Sequence, residues 1–515
     1  MVAGTATLTV GLATVPATGA PVQGGTAIGP STTTSPYVLP VADGVDITSL
    51  LTVNDDGAAA DGYELVGIPD GIGARVNRRG EVVAYVNHEL RFGAGIERRH
   101  GQRGAFVSKL VIDPETGEVT RGSDWLDPMV GFYDYQKPRR QRYGAEAGPP
   151  EGAAEDTHTQ AYQRFCSGSL TDPGQLWNEA TGRGTQAQFY FANEEIGVEG
   201  RVFGVNRFGQ AIQLPKLGLV SWENTLAAHN QSDTTLVMGN DDSDPGTVTA
   251  YVGTKRKSGT WANRAGLTDG RNHAVKLAAV TTDATFRETY ATGEPVPFTL
   301  NDIEWEQSGA AQEAEGLAEE VMQFNRVEDG AFDPNNPNDY YFNTTEGGEG
   351  TGGGGGGGLW RLRFSDIENP QLGGTLTLLL DGTEDITLSK PDNMTIDRYG
   401  NLLIQEDPGG DDVLARILAY RIADGATGVV AEFDPERFSP GGSNFITNDE
   451  ESSGILDAED VLGERGAFLF DAQVHSAAGL PEGTGENTVE EYVENGQLLR
   501  LDVADFDQVY GSANG

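Results

Sequence analysis

The chain of 515 residues has a single cysteine, Cys166, so no intrachain disulfide framework holds it together. Lysine is almost as scarce, with seven among 35 basic residues, and there are six histidines. No two of those histidines have the His-Glu-x-x-His spacing of a helix-borne zinc site, and no Gly-x-Ser-x-Gly elbow supports a serine hydrolase. No uncharged apolar run reaches transmembrane length, which excludes an integral membrane helix. The run Gly352–Gly358 lacks the Lys-Ser/Thr ending and following helix of a phosphate-cradling loop, and it reads as a flexible hairpin loop. Against 78 acidic residues the few basic ones leave a formal net charge of −43. Nucleic acid, which demands a basic footprint, is excluded as a partner.

What is present is glycine, 71 residues of it, with turn signals throughout and few aromatics. That mixture favours many short strands over helices, and a long all-β fold can be one domain at this length. Residues 74–83, 110–119, 205–210 and 396–404 each read as strand, turn, strand. Asp-x-x-Gly turns feeding apolar strands are a habit of propeller blades, although the spacing here is too irregular to claim a fixed period. Insertions at 128–159 and 257–272 read as surface loops, and 310–320 is the best helix candidate despite Gly316. Residues 1–30 carry no charge and no basic n-region. The expectation is a flexible leader or signal remnant over 1–34, then one domain over 35–515.

The recurring feature is a β-rich run ending in polar and acidic residues. Examples are Ala84–Glu89, Phe189–Glu195, Leu236–Asp242, Tyr340–Glu346, Leu402–Asp407, Phe445–Glu451 and Phe468–His475. Seven such ends predict strands from distant parts of the chain delivering carboxylates to one end of a sheet assembly. Crowded carboxylates repel unless cations neutralise them, and hard oxygen donors suit Ca²⁺ or Fe³⁺. An acidic, lysine-poor surface also fits a saline or calcium-rich extracellular setting. Cys166 lies in a Gly/Ser turn, where a buried small hydrophobe and a metal-bound thiolate are both open readings. His88 and His475, at strand ends, read as hydrogen-bonding neighbours rather than ligands. Arg326 and Glu328 share one side of an extended segment, either as an ordinary ion pair or as an anion fork beside a metal ligand.

Several short motifs occur together and in order: Ile68–Ala74, Asn87–Glu89, Phe165-Cys166-Ser167-Gly168, Asn193-Glu194-Glu195, Trp222-Glu223-Asn224, Arg326–Gly330, Pro391–Met394 and Gln405-Glu406-Asp407. The set resembles the PhoX-type alkaline phosphatases over roughly Ile68 to Leu501. The resemblance implies a six-bladed β-propeller with loop and short-helix insertions, a Ca²⁺/Fe³⁺ cluster at one end of its axis, and phosphomonoester hydrolysis by a secreted, periplasmic or cell-surface monomer. It implies Cys166 as an iron-binding thiolate, Glu195, Glu223, Glu328, Asp392 and Glu406 as metal ligands, and Arg326 as the phosphate clamp. Cys166, Arg326 and Glu328 would then form the catalytic set, acting on small phosphate esters. Two departures mark a divergent branch: Asn193 stands where the family has cysteine, and no twin-arginine signal precedes the domain. A non-catalytic calcium-binding propeller and a metal-dependent lactonase or esterase are the alternatives.

Overall fold

The computed structural model describes residues 24–511 apart from 129, 155, 348–356 and 412. The glycine run expected to form a loop lies largely outside them. Antiparallel sheets arranged like propeller blades make up the fold, as four separate blade-like sheets and one nine-stranded sheet that curls almost closed. Two further strand pairs are two-stranded. The four hairpins read from the sequence are present, as is the helix, over Gly309–Ala318 and capped by the Ser308 side chain. No helix among the described residues is long and apolar enough to cross a membrane.

Six strands pack side by side around a common axis, each against the next in chain order and the last against the first. They are Pro69–Val76, Phe165–Leu170, Trp222–Ala227, Val327–Phe332, Pro391–Ile396 and Glu450–Asp457. Each starts a sheet that runs outward through successive hairpins. The third and fourth belong to opposite ends of the nine-stranded sheet, because Val296–Ile303 pairs with Arg271–Leu277 on one side and Gly374–Leu380 on the other. Alternating burial along Val296–Phe298 lets this strand serve both halves and covers two edges that would otherwise present unpaired backbone.

The apolar cores lie between neighbouring sheets rather than in one central mass. Tyr85 stacked on Trp125 at 3.8 Å, with Tyr190 beside both, fills the gap between the first two sheets. The last sheet is closed by chain from near the start: Val45–Thr52 pairs antiparallel with Asn495–Val503. Gly25–Ile28 adds a parallel strand outside it, and Thr32 and Thr33 hydrogen-bond Asp55. The leader boundary expected near Thr34 is therefore corrected. Residues 24–34 belong to the fold, because an uncharged Gly/Thr/Ala segment is able to pair at a sheet edge, while 1–23 lie outside the described residues.

Five of the six inner strands share one irregularity. Their first residue pairs normally, the next two oppose a single residue of the second strand, and pairing then resumes. The bulged pairs are Asp70-Gly71, Cys166-Ser167, Glu223-Asn224, Glu328-Asp329 and Asp392-Asn393. Such a bulge re-aims side chains that a regular strand would direct into the inter-sheet core. Opposite them stand Asn87, Asn193, Asn240, Asn343 and Gln405, all fully buried. Four of these amides donate to a carbonyl on the next inner strand around the axis: Asn87 to Cys166 (2.6 Å), Asn240 to Glu328, Asn343 to Asp392 (3.1 Å) and Gln405 to Ser453 (3.0 Å). A kinked carbonyl that has left its ladder is thus satisfied from beside it, and the inner strands are tied around the axis.

Candidate metal centre

The first bulged residues meet at the axis. Three overlapping groups, each with ligand atoms within 4.8 Å of one another, comprise Asp70, Glu89 and Cys166; Cys166, Glu195 and Glu223; and Glu223, Glu328 and Asp392. Sequence reasoning named five of these seven. It quoted Asp70 and Glu89 within motifs but did not single them out as ligands. The Cys166 thiol donates to Asp70 Oδ2 at 3.1 Å, and Ser167 Oγ donates to Glu223 Oε1 at 2.6 Å. Asn393 reaches Ser167 through its amide and thereby holds that hydroxyl toward Glu223.

Burial leaves these groups poorly compensated. Asp70, Glu223, Glu328 and Asp392 are all pushed well above the usual carboxylate range, first by desolvation and then by neighbouring carboxylates: Glu451 and Glu89 for Asp70, Asp70 for Glu223, Asp242 for Glu328, and Glu223 for Asp392. Glu195 is raised in the same way, although Arg164 pulls against the shift. The Cys166 thiol is pushed up by burial and by Asp70 and Glu223. Asp70 Oδ1 and Asp392 Oδ1 are buried without a hydrogen-bond partner, and both oxygens of Asp471 are in the same condition. Acceptors stranded in this way fit a cation, and a thiol among oxygens adds a donor that iron accepts. The donor set matches hard cations.

Cations of the protein stand around the rim rather than inside. Arg326 grips Asp242 with two bonds of 2.8 Å and lies 3.2 Å from Glu328 Oε1. Arg164 bridges Glu89 (2.6 Å) and Glu195 (2.5 Å). Lys390 pairs with Asp411 at 2.9 Å. All three sit immediately before an inner strand with φ of +58°, +37° and +48°. A left-handed backbone costs a non-glycine residue about 1–3 kcal/mol, and here it turns a long cationic side chain to the rim of the axial site.

Glu406 does not join the groups. Its carboxylate is bound by both Nε and Nη2 of Arg416 at 2.7 and 2.8 Å and accepts from Ser389 N–H. The next residue, Asp407, lines a hollow of about 450 Å³ over the site with Glu89, Arg164, Glu451 and His475. Asp407 is raised to about 7, by burial and then by Glu451. His475 accompanies Glu494 (2.8 Å) and Glu451 (3.5 Å); burial opposes its charge, but these carboxylates push it up to about 11. His88 is elsewhere, between Gly67 O and Ser108 Oγ, and burial holds it down at about 3. Asn193 bonds Ser167 O, Asn224 and Thr225, a structural amide where the resembled family has cysteine.

No protein-family model matches the chain, and no curated protein sequence does. Among solved structures, Pseudomonas fluorescens PhoX in complex with vanadate, a transition state analogue, aligns with a TM-score of 0.59 over 92% of this chain and 98% of that one, at 11% identity. The BP39L lectin from Burkholderia pseudomallei aligns over 80% of this chain and 94% of its own, with a TM-score of 0.32 and 10% identity. A hypothetical selenium-binding protein from Sulfolobus tokodaii covers 81% and 85%, with a TM-score of 0.34 and 7% identity. At these identities the likeness is one of fold, PhoX-like, and the two lower scores carry no argument.

Proposed function

We propose that this chain is a metal-dependent phosphomonoesterase acting outside the cytoplasm as a monomer on small phosphate esters. The observation that carries the reading is the axial convergence of Cys166 with six buried or half-buried carboxylates, beside a rim arginine. The nine-stranded sheet counts as two blades bridged by Val296–Ile303, which gives a propeller of six blades, one per inner strand. Cys166, Glu195, Glu223, Glu328 and Asp392 are the proposed ligands, joined by Asp70 and Glu89. Asp407 takes the place expected of Glu406, whose charge Arg416 already neutralises. Calcium and a thiolate-bound iron(III) are the proposed ions; when bound they would neutralise the carboxylates and supply Lewis acidity to a phosphoryl oxygen.

The chain's own residues set the rest. Arg326 is held rigid by Asp242, and its side chain is 40% exposed, so a guanidinium edge remains for an anion. It would bind and orient the phosphate and offset charge that grows on its oxygens. Asp242 positions Arg326, and Thr345 holds Glu328 through a hydroxyl hydrogen bond. Arg326→Lys keeps the charge and loses the fork. It should retain metal while hydrolysis of a chromogenic phosphomonoester falls by about 2–4 kcal/mol of transition-state stabilisation. Glu328→Gln should lose both metal and activity. Elemental analysis completes the test: calcium without iron and without turnover would leave a calcium-binding module, and lactone hydrolysis in place of ester hydrolysis would select the third reading.

A further inference from the structure

The opposite face of the molecule has the reverse chemistry. Arg75 lies five residues beyond Asp70 on the first inner strand, about 17 Å away along an extended chain. It borders two hollows. One, of about 650 Å³, is lined by Arg75, Asn77, Arg78, Arg79, Glu81 and Arg121. The other, of about 510 Å³, is walled by aromatic rings, among them Trp125, Phe208 and Trp261, with Arg207 and Arg264 alongside. Phe208 is 61% exposed, and the Arg207 guanidinium lies 4.6 Å from its ring centre.

These cations lack the carboxylates that accompany most arginines in this chain. Among the described residues, Arg75, Arg78, Arg79, Lys109, Arg207 and Arg264 form no ion pair, and only Arg121 does, with Glu81 at 3.2 Å. Arg75 donates instead to the Tyr85 hydroxyl at 3.0 Å. Arg264 Nε is buried without a hydrogen-bond partner. Lys109 is held below its ordinary value by burial and by Arg75, Arg121 and Arg99. A chain with 78 acidic residues had ample carboxylate to place here, and it places one.

We propose that this double hollow binds a planar, multiply charged organic anion. Its ring would lie in the aromatic half, where Phe208 and the guanidinium planes offer stacking, and its anionic groups would reach Arg75, Arg78 and Arg79. The net charge of −43 confines attraction to the patch itself, so a short ligand fits and a long polyanion does not. The site is independent of the metal centre, because none of its lining residues belongs to the axial groups.

Fluorescence titration of the calcium-loaded protein with pyrene tetrasulfonate, which has no phosphate ester to hydrolyse, tests the site. Saturable one-site binding is expected. Arg75→Gln and the double variant Arg78→Ala/Arg79→Ala should each weaken it about tenfold, and Phe208→Ala about threefold. Glu223→Gln should leave it unchanged. Displacement by ADP carrying a methylene bridge between its phosphorus atoms would identify a nucleotide as the natural class, and failure to displace would identify another aromatic anion. Wild-type affinity in both arginine variants overturns the site. Displacement by tripolyphosphate at the same concentration as by free pyrene tetrasulfonate overturns the role of the ring.

Discussion

Glu194 and Glu195 are neighbours in one strand end, both buried, and they meet opposite fates. Glu194 faces away from the axis into Arg201, which is fully buried and gives it bonds of 2.6 and 2.7 Å while its remaining donors satisfy Thr159 O and Ala161 O. Glu195 faces the axis, where Glu89, Glu223 and Cys166 crowd it and Arg164 is the nearest relief. Glu406 and Asp407 repeat the pair, the first bound by Arg416 and the second directed to the hollow over the axis. The protein therefore has two kinds of buried carboxylate. One is balanced by an arginine within the chain, and the other is crowded by its own kind with less counter-charge.

The comparison breaks hardest at Arg201. Arg201→Met strands Glu194 without a counter-charge and should cost about 3–5 kcal/mol, equally in chelator and in excess calcium. Denaturant melts in both conditions check it, and a loss seen only with calcium would mean that Glu194 belongs to the axial set. Next comes calcium itself. With free ion at 100 to 1,000 times its dissociation constant, stability should rise by about 3–4 kcal/mol over the chelated protein. Equal midpoints would remove the distinction altogether.

Glu223→Gln sharpens the contrast at a single residue, since Glu223 belongs to two of the three groups. In chelator it should stabilise the protein by about 1–2 kcal/mol, because a buried charge and its repulsions are gone, and it should shrink the calcium gain. Glu406→Gln should do the opposite: baseline stability falls and the calcium gain persists, whereas Asp407→Asn lowers the gain. The last comparison concerns pH. Asp407, Asp241 and Glu450 are each raised to about 7, burial being the main cause. A raised folded-state value means stability present below the unfolded carboxylate range and lost as pH climbs through about 7. Chelated protein should therefore be more stable at pH 5 than at pH 8, by several kcal/mol at most, and calcium should flatten that difference. His88, held at about 3, acts in the other direction below about 6.5, so the gain should peak rather than continue into stronger acid.

The acidic run ends were legible because alternating strands leave a simple mark, but of the five axial residues named from the sequence only Glu195 closes such a run, and the other four came from the ordered motifs and the resemblance they carry. The contrast between Glu406, which Arg416 binds, and Asp407, which lines the hollow, has a signal of its own. Asn87, Asn193 and Gln405 each stand two residues before Glu89, Glu195 and Asp407, and a period of two puts amide and acid on one face. Asp70 was within reach by the same logic, one residue into its strand like Cys166 and Glu223. The Arg201–Glu194 pair was not, since nothing local distinguishes a buried arginine from an exposed one. The bridging strand Val296–Ile303 was hidden as well, because its partners are decided by the two sheet edges it happens to lie between.

The pairing of Val45–Thr52 with Asn495–Val503 has a consequence in time. The two segments are about 450 residues apart, and closing so long a loop has an entropic cost that only completed contacts on both sides offset. During synthesis Val45–Thr52 waits without its partner while about 450 further residues are made, so closure is expected to be the slow, late step. Glu451 stands in the sheet that this pairing completes, beside Gln473, which reaches across to Asp70 at 3.2 Å. Glu451 and Gln473 are therefore brought up to Asp70 only when this last sheet closes. On the reading proposed above, the axial metal site gains that side only once the ring has closed.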